Sequence, residues 1–112
     1  MTELVRTTED RTIAYKAISG AGAKQIKDCE GKEFVIKEVY QTEAVRKDTG
    51  EEAILTAIID TDGQVYQTMS PTFDECMRRL YDIFGSDICG LAVKVSTGVS
   101  KGGRKFFQAE LI

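Results

Sequence analysis

Residues 33–69 read EFVIKEVYQTEAVRKDTGEEAILTAIIDTDGQVYQTM, and this stretch decides the fold. From Glu33 the residues alternate. Phe34, Ile36, Glu38 and Tyr40 fall on one side of an extended chain, and Val35, Lys37, Val39 and Gln41 on the other. Both sides carry large residues and the pattern runs to about Arg46, which predicts one long strand, bulged or bent in its middle. Lys47-Asp48-Thr49-Gly50 has the chemistry of a hairpin turn, the glycine supplying a positive φ. Ala53 to Asp60 is β-branched and apolar, a second strand. Thr61-Asp62-Gly63 is another tight turn, and Gln64 to Met69 alternates again as a third strand. The three strands form a meander.

Downstream, a helix is expected. Either Ser70 caps it, with Pro71 in the first turn, or Thr72 does, with Glu75 three residues later as a capping box. Phe73, Met77, Leu80, Tyr81 and Phe84 line one helical face and Gly85 stops the helix. Ile88 to Thr97 reads as a fourth strand, residues 98–103 as a glycine- and serine-containing loop, and Arg104 to Ile112 as a fifth strand. Upstream, residues 1–8 are expected to be loose. Residues 9–19 carry Ile13, Ala14, Ala17 and Ile18 at helical spacing. A short helix fits them, with a strand as the alternative because Thr12, Ile13 and Tyr15 favour one. Gly20, Ala21 and Gly22 end that element, and residues 23–32 read as a polar connection.

The expected fold is therefore mainly β: a five-stranded Greek-key barrel of the OB-fold type, with one helix between strands three and four and a short N-terminal helix. The helix would plug the barrel bottom. At 112 residues the chain is expected to be one domain spanning 1–112, with 1–30 as an N-terminal extension.

Composition narrows the function. The chain is 42% hydrophobic and 29% charged, as in ordinary globular proteins, and its net charge of −3 argues against coating duplex DNA through bulk positive charge. An acidic protein can still hold a single strand in a local cationic groove with stacking rings. Three cysteines without CxxC spacing fit a reducing cytoplasm, with Cys76 and Cys89 as small core residues. No apolar run is long enough for a membrane span, so no membrane partner is expected. There is no histidine, which removes the commonest general base and metal ligand. Asp60-Thr61-Asp62-Gly63 resembles a fragment of a calcium loop, but the oxygen ligands such a loop needs downstream are missing, so it reads as a turn. No phosphate-cradling GxxxxGK[ST] motif is present. The chain is expected to be no enzyme and to use no cofactor or metal.

The candidate binding residues are cations near aromatics. Ser100-Lys101-Gly102-Gly103-Arg104-Lys105-Phe106-Phe107 places three cations beside two rings, and Lys94 lies on the paired strand. On the meander, Lys37, Tyr40, Arg46 and Lys47 lie close in sequence and Tyr66 stands on the third strand. Lys37, Arg46, Lys94, Lys101, Arg104 and Lys105 would contact phosphate, while Tyr40, Tyr66 and one of Phe106 and Phe107 would stack on bases. Adjacent strand residues point to opposite faces, so the other phenylalanine must face the core. Phe34 is expected in the core. Tyr40 and Tyr66 are open either way, since tyrosine often keeps one edge wet.

The stretch from Glu51 to Ile112 resembles the single-stranded-DNA-binding proteins of small tailed phages that replicate by protein priming. EEAILTAIIDTDGQVYQTMS, the amphipathic helix, and GLAVKVSTGVSKGGRKFFQAELI carry the similarity. The resemblance implies an OB-like fold and sequence-independent binding of displaced single strands during phage replication. It implies roles for Tyr66 first, with Lys101 and Phe107 behind it, phage replication proteins as further partners, and the cytoplasm of a bacterial host cell as the location. The alternative is a protein-interaction accessory module of a phage or mobile element on the same barrel.

Overall fold

The computed structural model describes residues 4–20 and 22–112. Ala21, expected to help end the first element, lies outside the described residues, as do residues 1–3 of the segment expected to be loose. Among the described residues there are two α-helices, α1 (Arg11–Ile18) and α2 (Pro71–Phe84), and six strands. The strands are β1 (Lys24–Gln25), β2 (Glu33–Val45), β3 (Glu52–Asp60), β4 (Val65–Thr68), β5 (Ala92–Val99) and β6 (Lys105–Leu111). The spatial order is β1-β4-β3-β2-β5-β6. All pairs are antiparallel except β1 with β4, where Lys24 and Gln25 run parallel beside Tyr66 and Gln67. The sheet curls into an OB-like half-barrel.

The meander forms as its sequence predicts, with one change of phase. Ile36 faces Asp60 but Glu38 faces Ile59, so Lys37 is an extra residue in β2. This bulge reverses the alternation. The inward residues are Phe34, Ile36, Val39 and Gln41, not Phe34, Ile36, Glu38 and Tyr40. Gly50 and Gly63 close the two hairpin turns at φ of 73° and 86°. Asp60 shapes the second turn: its Oδ1 accepts from the amides of Asp62 and Gln64.

Ser70 is the residue that caps α2. Its hydroxyl accepts from the Phe73 amide, and Pro71 occupies the first helical position, where its missing N–H has no helical partner to lose. Phe73, Met77 and Leu80 are buried from this helix into the barrel core, with Tyr81 and Phe84 at its margin. The helix packs against β6 and β3. Past Gly85 the chain makes a short 3-10 turn, Gly85–Ile88, so Ile88 plugs the core from there and the fourth long strand begins at Ala92. Gly98 and Val99 belong to β5, β6 begins at Lys105 and not Arg104, and the loop is residues 100–104.

Residues 4–8, expected to be loose, are held against β2. Val5 is fully buried, its amide donates to Gln41 Oε1 and its carbonyl accepts from the Gln41 amide. The segment 23–32 is not a featureless connection either. It holds β1 and a 3-10 turn, Ile26–Asp28, and buries Ile26 and Cys29 in the core. Cys29 is thus the buried thiol, and burial pushes its pKa up, while Cys76 and Cys89 sit half-buried at the core margin. Helix α1, capped by Asp10, covers the outer face of the meander, where Ala17 meets Ala57, Ile59 and Val65.

Candidate nucleic-acid interface

The two ends of the curled sheet approach each other without pairing. One end is β4 with its short companion β1, and the other is β6. A cleft of about 650 Å³ lies between them. Its walls come from Gln25 and Lys27 beside β1, from Gln67 to Thr72 at the end of β4 and the start of α2, and from Ser100 and Arg104 to Phe107 on the last hairpin. Arg46 and Leu55 of the β2–β3 hairpin complete it.

Charge distinguishes this cleft. Lys27, Arg46, Arg104 and Lys105 line it and, among the described residues, no carboxylate does, although the chain as a whole carries net charge −3. The N-terminus of α2 also borders it through Ser70, Pro71 and Thr72, so the positive end of the helix dipole adds to the field. Arg46 is held in place: its Nη2 donates to the Met69 carbonyl at 2.9 Å, tying the hairpin base to the end of β4. Lys105 Nζ lies 2.6 Å from Glu30 Oε1 and 5.5 Å from the centre of the Phe107 ring. Both members of that ion pair are more than half exposed, and such pairs contribute about 0–1 kcal/mol, so a phosphate can take the carboxylate's place.

The two phenylalanines divide their work. Phe107 packs against the core cluster, on the same side of β6 as buried Ala109. Phe106 points the other way and lies over Gly98, its register partner on β5; a Cβ at Gly98 would meet the Phe106 ring at 2.4 Å. Both rings are half-buried and both reach the cleft.

Of the residues singled out from sequence, Arg46, Arg104, Lys105 and Phe107 come together at the cleft, and Lys101 stands exposed on the turn beside Ser100. Tyr40, Lys37 and Lys94 do not join them. The β2 bulge turns Tyr40 to the outer face, where it packs beside the α1 cluster under the Arg6 guanidinium, 4.9 Å from its ring centre. Lys37 is exposed at the bulge itself. Lys94 is exposed on β5, and its cross-strand neighbours are Glu33 and Glu110.

Tyr66 corrects an expectation. Its ring does not face solvent: the residue is 1% exposed and stacks on Phe34 inside the barrel. Its hydroxyl donates to Asp60 Oδ2 at 2.8 Å, and burial with that bond holds the phenol well above its ordinary pKa. A ring enclosed in this way has no free face for a base.

Lys27, Gln25 and Thr72 are among the cleft residues that the sequence pattern does not mark. Lys27 sits in a segment that reads as a polar connection, where Ile26 and Cys29 are the signs of packing. Gln25 follows from the same segment. Thr72 borders the cleft from the first turn of α2, which Ser70 caps. Sequence alone does not tell Phe106 from Phe107, and Gly98 across the hairpin is the clue, since a strand glycine often marks a close approach.

Comparison with curated proteins returns no match, and neither does comparison with solved structures. The model of one family, Phage Single-stranded DNA-binding protein, matches residues 3–112. That span takes in the N-terminal 30 residues as well as the stretch from Glu51 on which the sequence resemblance rested. With nearly the whole chain covered and an OB-like half-barrel beneath it, the chain belongs to the phage single-stranded DNA-binding protein family.

Proposed function

We propose that the cleft between β4 and β6 binds single-stranded DNA without reading its sequence, and that the protein protects displaced strands during phage DNA replication in the host cell. The observation that carries this is the cleft's composition among the described residues: four cations, two aromatic rings and no carboxylate, on a protein that is acidic overall. Cations track phosphates while rings accept any base, because every base has a π-face. The location also fits. The second and third barrel strands, here β3 and β4, together with the loops after the first and fourth, here β2 and β5, form the binding surface of OB-folds, and those loops bring Arg46 and Arg104 to the cleft.

In this proposal Lys27, Arg46, Lys101, Arg104 and Lys105 contact phosphate. Phe106, the ring free of the core, is the principal base platform, with Phe107 beside it. Tyr66 supports the barrel wall instead of stacking on DNA. Binding requires no catalytic group. Replication proteins that work on the same displaced strand are the partners this role implies.

The direct test is fluorescence anisotropy of a labelled oligo-dT strand titrated with the protein across a salt series. Binding should weaken linearly in log–log form, with a slope of about −0.7 for each phosphate neutralised on a single strand. Absence of binding at low salt removes the proposal.

A further inference from the structure

Besides its side chains, the cleft presents an unpaired strand edge. In an antiparallel ladder, alternate residues direct both backbone groups toward the partner strand, and the residues between direct theirs away. The phase of β6 is set at its two ends: the Ser100 amide donates to the Arg104 carbonyl at 2.8 Å, and the Ile112 amide donates to the Ala92 carbonyl. Residues 104, 106, 108, 110 and 112 therefore face β5, and Lys105, Phe107, Ala109 and Leu111 face outward. The Ala109 carbonyl agrees with this phase, because Cys76 Sγ from α2 donates to it at 3.2 Å. Among the described residues the amides of Lys105 and Phe107 have no acceptor, and both residues line the cationic cleft.

We propose that the main-chain N–H groups of Lys105 and Phe107 donate hydrogen bonds to phosphate oxygens of a single strand lying in the cleft. The two donors are one strand repeat apart, about 6.7 Å, close to the stride between successive phosphates of an extended polynucleotide. Charge selects this occupant. An extended peptide could pair with the same edge, but its backbone is neutral, whereas a phosphate chain brings a negative charge at every repeat to Lys27, Arg46, Arg104 and Lys105. Backbone donors serve a protein that must bind every sequence, since they reach phosphate and not base edges. This inference rests on the cleft being the DNA site and adds the two donors to it.

The test is residue-resolved amide hydrogen exchange by NMR on the full chain, free and saturated with oligo-dT. The amides of Lys105 and Phe107 should exchange about tenfold more slowly or better in the complex. Those of Phe106 and Gln108, already bonded to β5, should not change. A second complex, made with an abasic deoxyribose-phosphate strand of the same length and driven to saturation, should keep the protection at 105 and 107, since it offers phosphate and no base. If Arg104→Ala weakens oligo-dT binding yet both amides exchange at their free rate, the backbone donors are overturned and the cleft stands. Loss of protection with the abasic strand likewise overturns the assignment to phosphate. If Arg104→Ala leaves binding untouched, the cleft itself is wrong.

Discussion

Tyr66 and Phe34 stack face to face across the barrel interior, their ring centres 4.4 Å apart and their planes 10° from parallel. The pair joins β4 to β2 on the inner side of the sheet, and the Tyr66 hydroxyl extends the link to Asp60. Tyr66→Phe keeps the stack and removes that hydrogen bond. Bonds to charged acceptors contribute about 1.5–3 kcal/mol, so urea denaturation should show a loss of that order. Oligo-dT affinity should stay at the parent value. Unchanged stability with weakened binding would instead return Tyr66 to the DNA surface.

The same phenol predicts an alkaline signature. Burial first, then the bond to Asp60 and its charge, raise the folded-state pKa above the ordinary value of about 10. A raised acid pKa means the folded state favours the neutral phenol. Its contribution is complete below about pH 10 and disappears as pH rises through the folded value. The stability gap between the parent and Tyr66→Phe should be flat from neutral pH to about pH 10 and shrink above it. Paired thermal melts across that range measure it, and the titrations of other groups cancel in the difference.

Much of this fold was legible because its punctuation is local. Gly50 and Gly63 mark hairpins, Ser70-Pro71 marks a helix start, and the apolar residues of α2 repeat at helical spacing whatever they pack against. The β2 phase was not legible. Nothing in Ile36-Lys37-Glu38-Val39 shows which residue is extra until Asp60 and Ile59 fix the register from the other strand. One bulged residue sends Tyr40 outward and Gln41 inward. Tyr66 was misjudged for a related reason. A tyrosine in an alternating strand can keep its hydroxyl wet or bury it on a partner, and its partner Asp60 looked like a turn residue alone. The cations of the last hairpin were legible because a segment that short can place them nowhere but at the cleft's rim. Lys27 comes from a distant segment, and only the parallel pairing of β1 with β4 delivers it.

Placement separates the cations. Lys27→Ala and Arg104→Ala should each weaken oligo-dT binding and flatten the salt slope by about 0.7. Lys37→Ala and Lys94→Ala should leave both nearly unchanged, since neither lines the cleft and Lys94 stands between Glu33 and Glu110. Anisotropy titrations of the four variants at several salt concentrations make the comparison. Equal effects from all four would mean that a diffuse field, not the cleft, holds the strand.

Phe106 should behave as a base platform. Removing a stacking ring costs about 1–3 kcal/mol per base in affinity, so Phe106→Ala should weaken oligo-dT binding by that amount while the core keeps Phe107 and Ala109. Gly98→Ala provides the independent check. Its backbone φ is not positive, but the new Cβ would lie 2.4 Å from the Phe106 ring and must push it aside. Binding should therefore fall in the same direction, with overpacking costing about 1–3 kcal/mol of stability at most. Gly98→Ala with full affinity would show that the ring's position over β5 is immaterial.

Gln41 should be the opposite kind of residue, needed for folding and irrelevant to DNA. It is fully buried, yet its side chain is satisfied on both sides. Oε1 accepts from the Val5 amide at 2.9 Å, and Nε2 donates to Thr56 Oγ1 at 2.9 Å and to Asp74 Oδ1 at 2.7 Å. Asp74 also receives Arg78 Nε at 2.8 Å. Gln41 is thus the node joining the N-terminal segment, β3 and α2. Gln41→Leu keeps the bulk but strands a buried N–H and removes a donor from a buried carboxylate. Each such group left without a partner costs about 1–3 kcal/mol. Urea denaturation should show a loss of several kcal/mol, with exchange protection at the Val5 amide gone even where the variant stays folded. Adding Asp74→Asn to the Gln41→Leu variant should restore part of that loss, because it removes the charge that Gln41 had helped to satisfy. A Gln41→Leu protein as stable as the parent would mean that the N-terminal segment is held by Val5 packing alone.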